Sequence, residues 1–215
     1  MRIYAVTPIH VDGPELIRRQ ARYDALSPAG VEVVLHDIGP DAPRALETAE
    51  QIRASEVLVG RALADVPREF DATLPDCVLD PGVPAPGVPA PGEPEPGRPK
   101  LGLLRAGLGS AVMAGARTAA VARNRAIADE LEARVRAYGW SDTFCGVTVL
   151  DLAVSDIEDP VRWARAVRPA LDRAKDAGAS VVLNGCSAVD VGPDEDGLPT
   201  LLDPIAAGLA AIARS

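Results

Sequence analysis

Short apolar runs alternate with longer stretches of helical spacing along this chain, and the series occurs twice. In the first half, runs at residues 2–6, 31–35 and 72–79 flank helical stretches that start near Pro14 and span 43–64. In the second half, a short helix at 101–114 precedes runs at 118–122, 147–152 and 180–184, separated by helices at 123–138 and 160–177. Strands that alternate with helices call for parallel sheets, because each strand must return to the same edge through a crossover. Each third strand runs into a cysteine: Cys77 in Leu-Pro-Asp-Cys-Val-Leu-Asp-Pro-Gly and Cys186 in Val-Val-Leu-Asn-Gly-Cys-Ser-Ala. From first strand to cysteine is about 70 residues in both halves, so the two thiols are expected at equivalent carboxyl-end positions, where open α/β sheets place ligands.

Several function classes are disfavoured by composition. With 22 Lys and Arg against 31 Asp and Glu, the net charge of −9 repels phosphate backbones and anionic membranes, so neither nucleic acid nor membrane is an expected partner. No apolar run approaches membrane-spanning length, and the opening Met-Arg-Ile-Tyr-Ala-Val enters a strand without a signal-peptide core, which gives a cytoplasmic expectation. Three cysteines form no disulfide framework and no zinc-type spacing, so no metal is expected. Dinucleotide and triphosphate fingerprints are absent, and Lys100 and Lys175 are poorly placed for a Schiff base; cofactor-free chemistry on a small molecule is the expectation. Glycine- and alanine-rich helices permit homo-oligomer packing without specifying a number of subunits.

Three pentapeptides, Val-Pro-Ala-Pro-Gly twice and Glu-Pro-Glu-Pro-Gly, span Val83 to Gly97. They favour extended polyproline geometry and read as a surface loop or a linker between lobes, with a lid or a docking ligand as the sharper reading. Accordingly, the chain divides into an N-terminal lobe at 1–98, carrying the proline-rich loop 83–99 and completed by 200–215, and a C-terminal lobe at 99–199. A closing strand at Pro-Thr-Leu-Leu-Asp and a helix from Pro204 to Arg214 are expected to pack back across both.

A pair of facing thiols can remove a proton from one face of a carbon and return one to the other. A thiol becomes a useful base when turn amides or a helix N-terminus lower its pKa. Gly185-Cys186-Ser187 is small enough for close backbone approach to a ligand, and Asp80 either orients the first thiol or caps the following turn. Cys145, between Phe144 and Gly146, reads as packing.

With these residues in view, the chain resembles the aspartate/glutamate racemase superfamily, and most closely its hydantoin/allantoin racemase branch. The match rests on Arg-Ile-Tyr-Ala-Val-Thr7-Pro8, on Cys77-Val78-Leu-Asp80-Pro-Gly, on Asn184-Gly185-Cys186-Ser187-Ala, and on the tail Leu-Pro-Thr-Leu-Leu-Asp-Pro-Ile-Ala-Ala, with the Gly39-Pro40 turn between them. The resemblance implies two pseudo-symmetric Rossmann-like α/β lobes with the active site in the cleft between them. It also implies cofactor-independent proton transfer in which Cys77 and Cys186 exchange acid and base roles, with the amides of Val78 and Ser187 holding the enolate-like oxygen. Thr7, Pro8, Asn184 and Gly185 then border the substrate.

The departures are equally specific. Thr7-Pro8-Ile9-His10 replaces the Asn-Pro-Asn-Thr loop of many relatives, and His10 reads first as a surface histidine, with a place facing the site as the sharper alternative. Ala122-Arg123-Asn124 stands where relatives often carry threonine, and Arg123 either binds a substrate carboxylate bidentately or is a solvated surface arginine. Ser110 is a further candidate for substrate contact from the second lobe. A racemase or epimerase acting on a hydantoin, allantoin or an amino acid is the leading expectation. A maleate-type isomerase or other lyase of the superfamily is the runner-up, and a catalytically silent binding protein the alternative of another class.

Overall fold

The computed structural model describes residues 1–85 and 98–214. Most of the proline repeat, residues 86–97, lies outside the described residues, and so do the expectations attached to it. Two parallel sheets form. The first has the order β2-β1-β3, built from β1 (Arg2–Val6), β2 (Glu32–His36) and β3 (Ala72–Pro75). The second has the order β5-β4-β6-β7, from β4 (Thr118–Ala122), β5 (Phe144–Val149), β6 (Val181–Asn184) and β7 (Thr200–Leu202). Leaving β7 aside, both sheets have their first strand in the middle and their third strand on the same side, so β3 and β6 are equivalent.

Helices cover both sheets. In the first lobe α1 (Gly13–Leu26) and α6 (Pro204–Ile212) bury Tyr23, Ile205 and Leu209 against Ile3, Ala5 and Leu74, while α2 (Ala49–Ala64) sets Val59 and Leu63 against Val6 on the other face. In the second, α4 (Arg125–Ala137) and α5 (Pro160–Asp176) lie on opposite faces, Leu131 and Val135 packing near Ala120 and Leu183, Trp163 and Val167 near Val121 and Val182. Burying each such aliphatic side chain is worth about 1.5–3 kcal/mol, and the near-continuous apolar strands are what a two-sided parallel sheet requires. A central cluster with Leu46, Cys77, Val78, Leu104, Leu131 and Leu183 joins the lobes.

Several boundaries differ from the sequence reading. β3 ends at Pro75 instead of running to Leu79: Pro75 has no N–H, and the chain turns at once, with the Cys77 amide bonding the Pro75 carbonyl. α2 starts at Ala49, not 43, because Thr48 accepts from the Gln51 amide while Gln51 reaches back in a capping box, leaving 40–48 in turns. β5 begins at Phe144, three residues early. The segment expected as a helix at 101–114 opens with a π turn, Leu104–Leu108, before α3 (Gly109–Met113). The closing segment divides: β7 pairs with β6 and extends the second sheet, whereas α6 packs in the first lobe's core, so only the helix completes the N-terminal lobe. Among the described residues no helix is long and apolar enough to cross a membrane.

Candidate active site

The two turns that follow β3 and β6 meet across one cavity. Cys77 and Cys186 both line it. Pro8, Val78, Gly185, Ser187 and Arg123 line it as well. The mixture of apolar wall and a few polar groups suits a small molecule. The remaining wall is largely aliphatic and comes from both lobes: Ile9, Leu46 and Leu79 on one side, Ile127, Val154 and Ile157 on the other.

The two cysteine turns are built alike. The Leu79 amide approaches the Cys77 sulfur at 3.5 Å, and the Ala188 amide donates to the Cys186 sulfur, each from two residues downstream. The Val78 and Ser187 amides, one residue downstream, find no hydrogen-bond partner among the described residues. Gly185 is required for this geometry, because a Cβ there would overlap the Val121 carbonyl oxygen of β4. The Ser187 hydroxyl donates to the Asp76 carbonyl at 3.1 Å and ties one turn to the other.

Beneath the thiols lies a buried polar network that sequence reading missed. Arg19 of α1 donates to Asp76 at 3.1 Å and to Glu15 at 2.7 Å, and the Tyr23 hydroxyl donates to the second Asp76 oxygen at 3.0 Å. Arg19 and Asp76 both border the cavity. Burial works against the Arg19 charge, but Asp76 and Glu15 outweigh it and keep the guanidinium ionised. Burial pushes the Cys77 thiol up to about 12, with the Leu79 amide opposing and Asp76 and Asp80 adding to the rise. Burial also raises Cys186, where Arg19 and Arg123 pull the other way. No metal-binding group of His, Cys, Asp and Glu forms among the described residues.

The other expected site residues take the following places. Asp80, fully buried with φ 48°, does not reach the first thiol: its carboxylate accepts from the Leu104 and Arg105 amides and from the Tyr138 hydroxyl. Ser110 donates to the Ala106 carbonyl one helical turn back and does not border the cavity. Thr7 is buried, its hydroxyl on the Ile9 carbonyl, and it shapes the loop without lining the cavity. Asn184 is likewise set back, its amide nitrogen donating to the Cys186 and Val189 carbonyls. Arg123 does reach the cavity, but its guanidinium is already engaged by the Leu46 and Leu152 carbonyls and by Glu47 at 2.8 Å. His10 sits in an adjoining outer pocket, its Nδ1 2.7 Å from Asp37. That pocket shares Ile9, Arg19, Val154 and Ile157 with the inner one, so the two are neighbours.

In the sequence Asp76 stands beside Cys77 and Arg18, Arg19 and Arg22 share one helix, but nothing local joins Arg19 to Asp76. Val154 and Ile157 lie in a 3-10 turn, Val154–Glu158, that no periodicity announces.

No family model matches the sequence, and no curated relative does. Solved structures share its fold. Allantoin racemase from Pseudomonas fluorescens superposes with a TM-score of 0.76 at 20% identity, covering 99% of this chain and 90% of that one. Allantoin racemase from Klebsiella pneumoniae gives 0.75 at 19%, covering 100% and 86%. Glutamate racemase from Aquifex pyrophilus gives 0.55 at 13%, covering 100% and 83%. The fold is therefore that of the aspartate/glutamate racemases, with the allantoin racemases among its near neighbours.

Proposed function

We propose that this protein is a cofactor-independent racemase or epimerase that moves a proton at a carbon next to a carbonyl, with Cys77 and Cys186 as its acid and base. The observation that carries the reading is that both thiols, from equivalent turns of two pseudo-symmetric sheets, line one cavity. One thiolate takes the α-proton and becomes a thiol, while the C–H electron pair moves into an enolate whose charge rests on the carbonyl oxygen. The opposite thiol then gives its proton to the other face, the carbonyl reforms, and that sulfur is left as the thiolate. The Val78 and Ser187 amides, without a hydrogen-bond partner among the described residues, are the donors offered to the developing oxyanion, each such donor being worth roughly a hundredfold or more in rate.

The cavity favours one of the candidate substrate types. Its wall is aliphatic, and both arginines that border it are already neutralised, Arg19 by Glu15 and Asp76, Arg123 by Glu47. A free carboxylate would find no uncompensated cation there, whereas a neutral ring with an apolar substituent loses little on entering. A 5-alkyl or 5-aryl hydantoin therefore fits better than aspartate or glutamate, and better than the polar ureido group of allantoin.

Proton NMR in deuterium oxide tests this, with both enantiomers of a 5-alkyl hydantoin, allantoin, aspartate and glutamate. The expected result is loss of the hydantoin C5 proton signal with inversion, abolished by Cys77→Ser and by Cys186→Ser. Exchange that survives both substitutions, or none with any candidate in folded protein, overturns the two-thiol reading; exchange confined to the amino acids overturns the substrate assignment.

A further inference from the structure

Resting on the two-thiol reading, we propose that the outer pocket receives the far end of the substrate's C5 substituent, that this end is a carboxylate, and that Arg44 selects it. The outer pocket adjoins the cysteine cavity, and Ile9, Val154 and Ile157 border both. A substituent that extends from a ring between the thiols toward the outer pocket runs along these aliphatic side chains, which suits an alkyl stem. Beyond them the surroundings become polar: His10, Asp12, Glu15, Arg18 and Arg44 border the outer pocket and not the inner cavity.

The charges around the outer pocket are engaged with one another, with one exception. Glu15 accepts from Arg18 at 2.7 and 2.8 Å and from Arg19 at 2.7 Å. Arg18 donates further to the Ala188 carbonyl, and Arg19 to Asp76. Asp12 caps α1, accepting from the Glu15 amide at 2.9 Å, so its charge faces the partial positive end of that helix. Arg44 is exposed, and its guanidinium has no hydrogen-bond or ion-pair partner among the described residues. Its segment is nonetheless tied down. The His10 amide donates to the Pro43 carbonyl at 3.0 Å, and Asp37 holds the His10 ring at 2.7 Å and the Val11 and Gly39 amides at 2.9 and 3.0 Å. A carboxylate in the outer pocket therefore meets a guanidinium free to bind it bidentately, which the inner cavity does not offer, because Arg19 and Arg123 are already paired there. The negative charge thus belongs at the end of the substituent and not beside the reacting carbon, and this separates the substrate class from free amino acids.

C5-proton exchange kinetics in deuterium oxide test this with hydantoins whose C5 chains end in a carboxylate or in the matching carboxamide, over a series of chain lengths, beside a plain 5-alkyl hydantoin. Acid and amide share a shape and differ in charge. For at least one chain length the acid is expected to exceed its amide in kcat/KM by about threefold or more at low ionic strength, mainly through KM, as an exposed ion pair allows. Added salt is expected to shrink that preference, since a pair at the protein surface is screened. Arg44→Gln is expected to bring the acid-to-amide ratio to about one, and Arg44→Lys to keep part of it; both side chains replace an exposed group without partners, so the fold is retained. An acid no better than its amide at every length overturns the proposal, as does a preference that persists in Arg44→Gln. If the plain alkyl hydantoin exchanges while acid and amide are equal, this proposal alone fails; if no hydantoin exchanges at all, the racemase reading fails and takes this one with it.

Discussion

Gly185 shows how far a single residue was readable. Its smallness beside Cys186 suggested close backbone approach to a ligand; the observed close approach is to the Val121 carbonyl of the neighbouring strand, which a Cβ would overlap. Gly185→Ala is expected to push the Cys186 turn off β4, lowering the exchange rate by about a hundredfold, since displacement of a reacting group by about 1 Å costs that much. Kinetics alongside circular dichroism check it, and an unchanged rate in folded protein would show that the turn tolerates displacement. Arg19 was not readable at all. In its local context it is the i+4 partner of Glu15, an arrangement typical of a solvated helix face. Its other partner, Asp76, lies 57 positions away. The cysteines stood out because both close a strand; the buried arginine beneath them comes from a helix packed underneath.

At the scale of elements, α1 does more than cover the first sheet. Arg18 donates to the Ala188 carbonyl, and Arg22 to the Ser187 and Val189 carbonyls while pairing with Asp190 and Asp203. With the carbonyls of the Cys186 turn drawn toward the helix, its amides are left for the sulfur and the cavity. Arg22→Met is expected to cost about 2–4 kcal/mol, less than breaking a fully buried pair because Asp190 is exposed, and a lowered urea midpoint checks it. A loss within measurement error would mean the carbonyl contacts are replaced by water. The elements themselves were largely legible, because alternating apolar runs and helical periods are local signals. Their ends were not: a capping box moved the start of α2, and Pro75 cut β3 short.

Across the whole molecule, Asp80 joins the lobes, its carboxylate capping the chain at Leu104 and Arg105 in one direction and accepting from Tyr138 of the second lobe in the other. Burial raises this carboxyl from 3.8 to about 6, against the hydrogen bonds that favour its charge. Between those values the native protein retains a proton that the unfolded chain has released, so stability falls as pH rises through the window and levels off above it, by an amount on the order of 2–3 kcal/mol. Urea unfolding between about pH 4 and about pH 7 is expected to show that slope, and Asp80→Asn to flatten it whatever its effect on absolute stability. An identical slope in the variant would assign it to other carboxyls. From the sequence by itself came the α/β class, the parallel sheets, the twofold series and two thiols at equivalent strand ends, all set by periodicities of a few residues. Only the tertiary structure decided that β7 joins the second sheet while α6 joins the first lobe, that Asp80 binds backbone and tyrosine instead of a thiol, and that Arg19, Asp76 and Tyr23 underlie the cavity. Those outcomes depend on Coulomb and hydrogen-bond contacts between residues remote in the chain, whose geometry exists only once both lobes are packed.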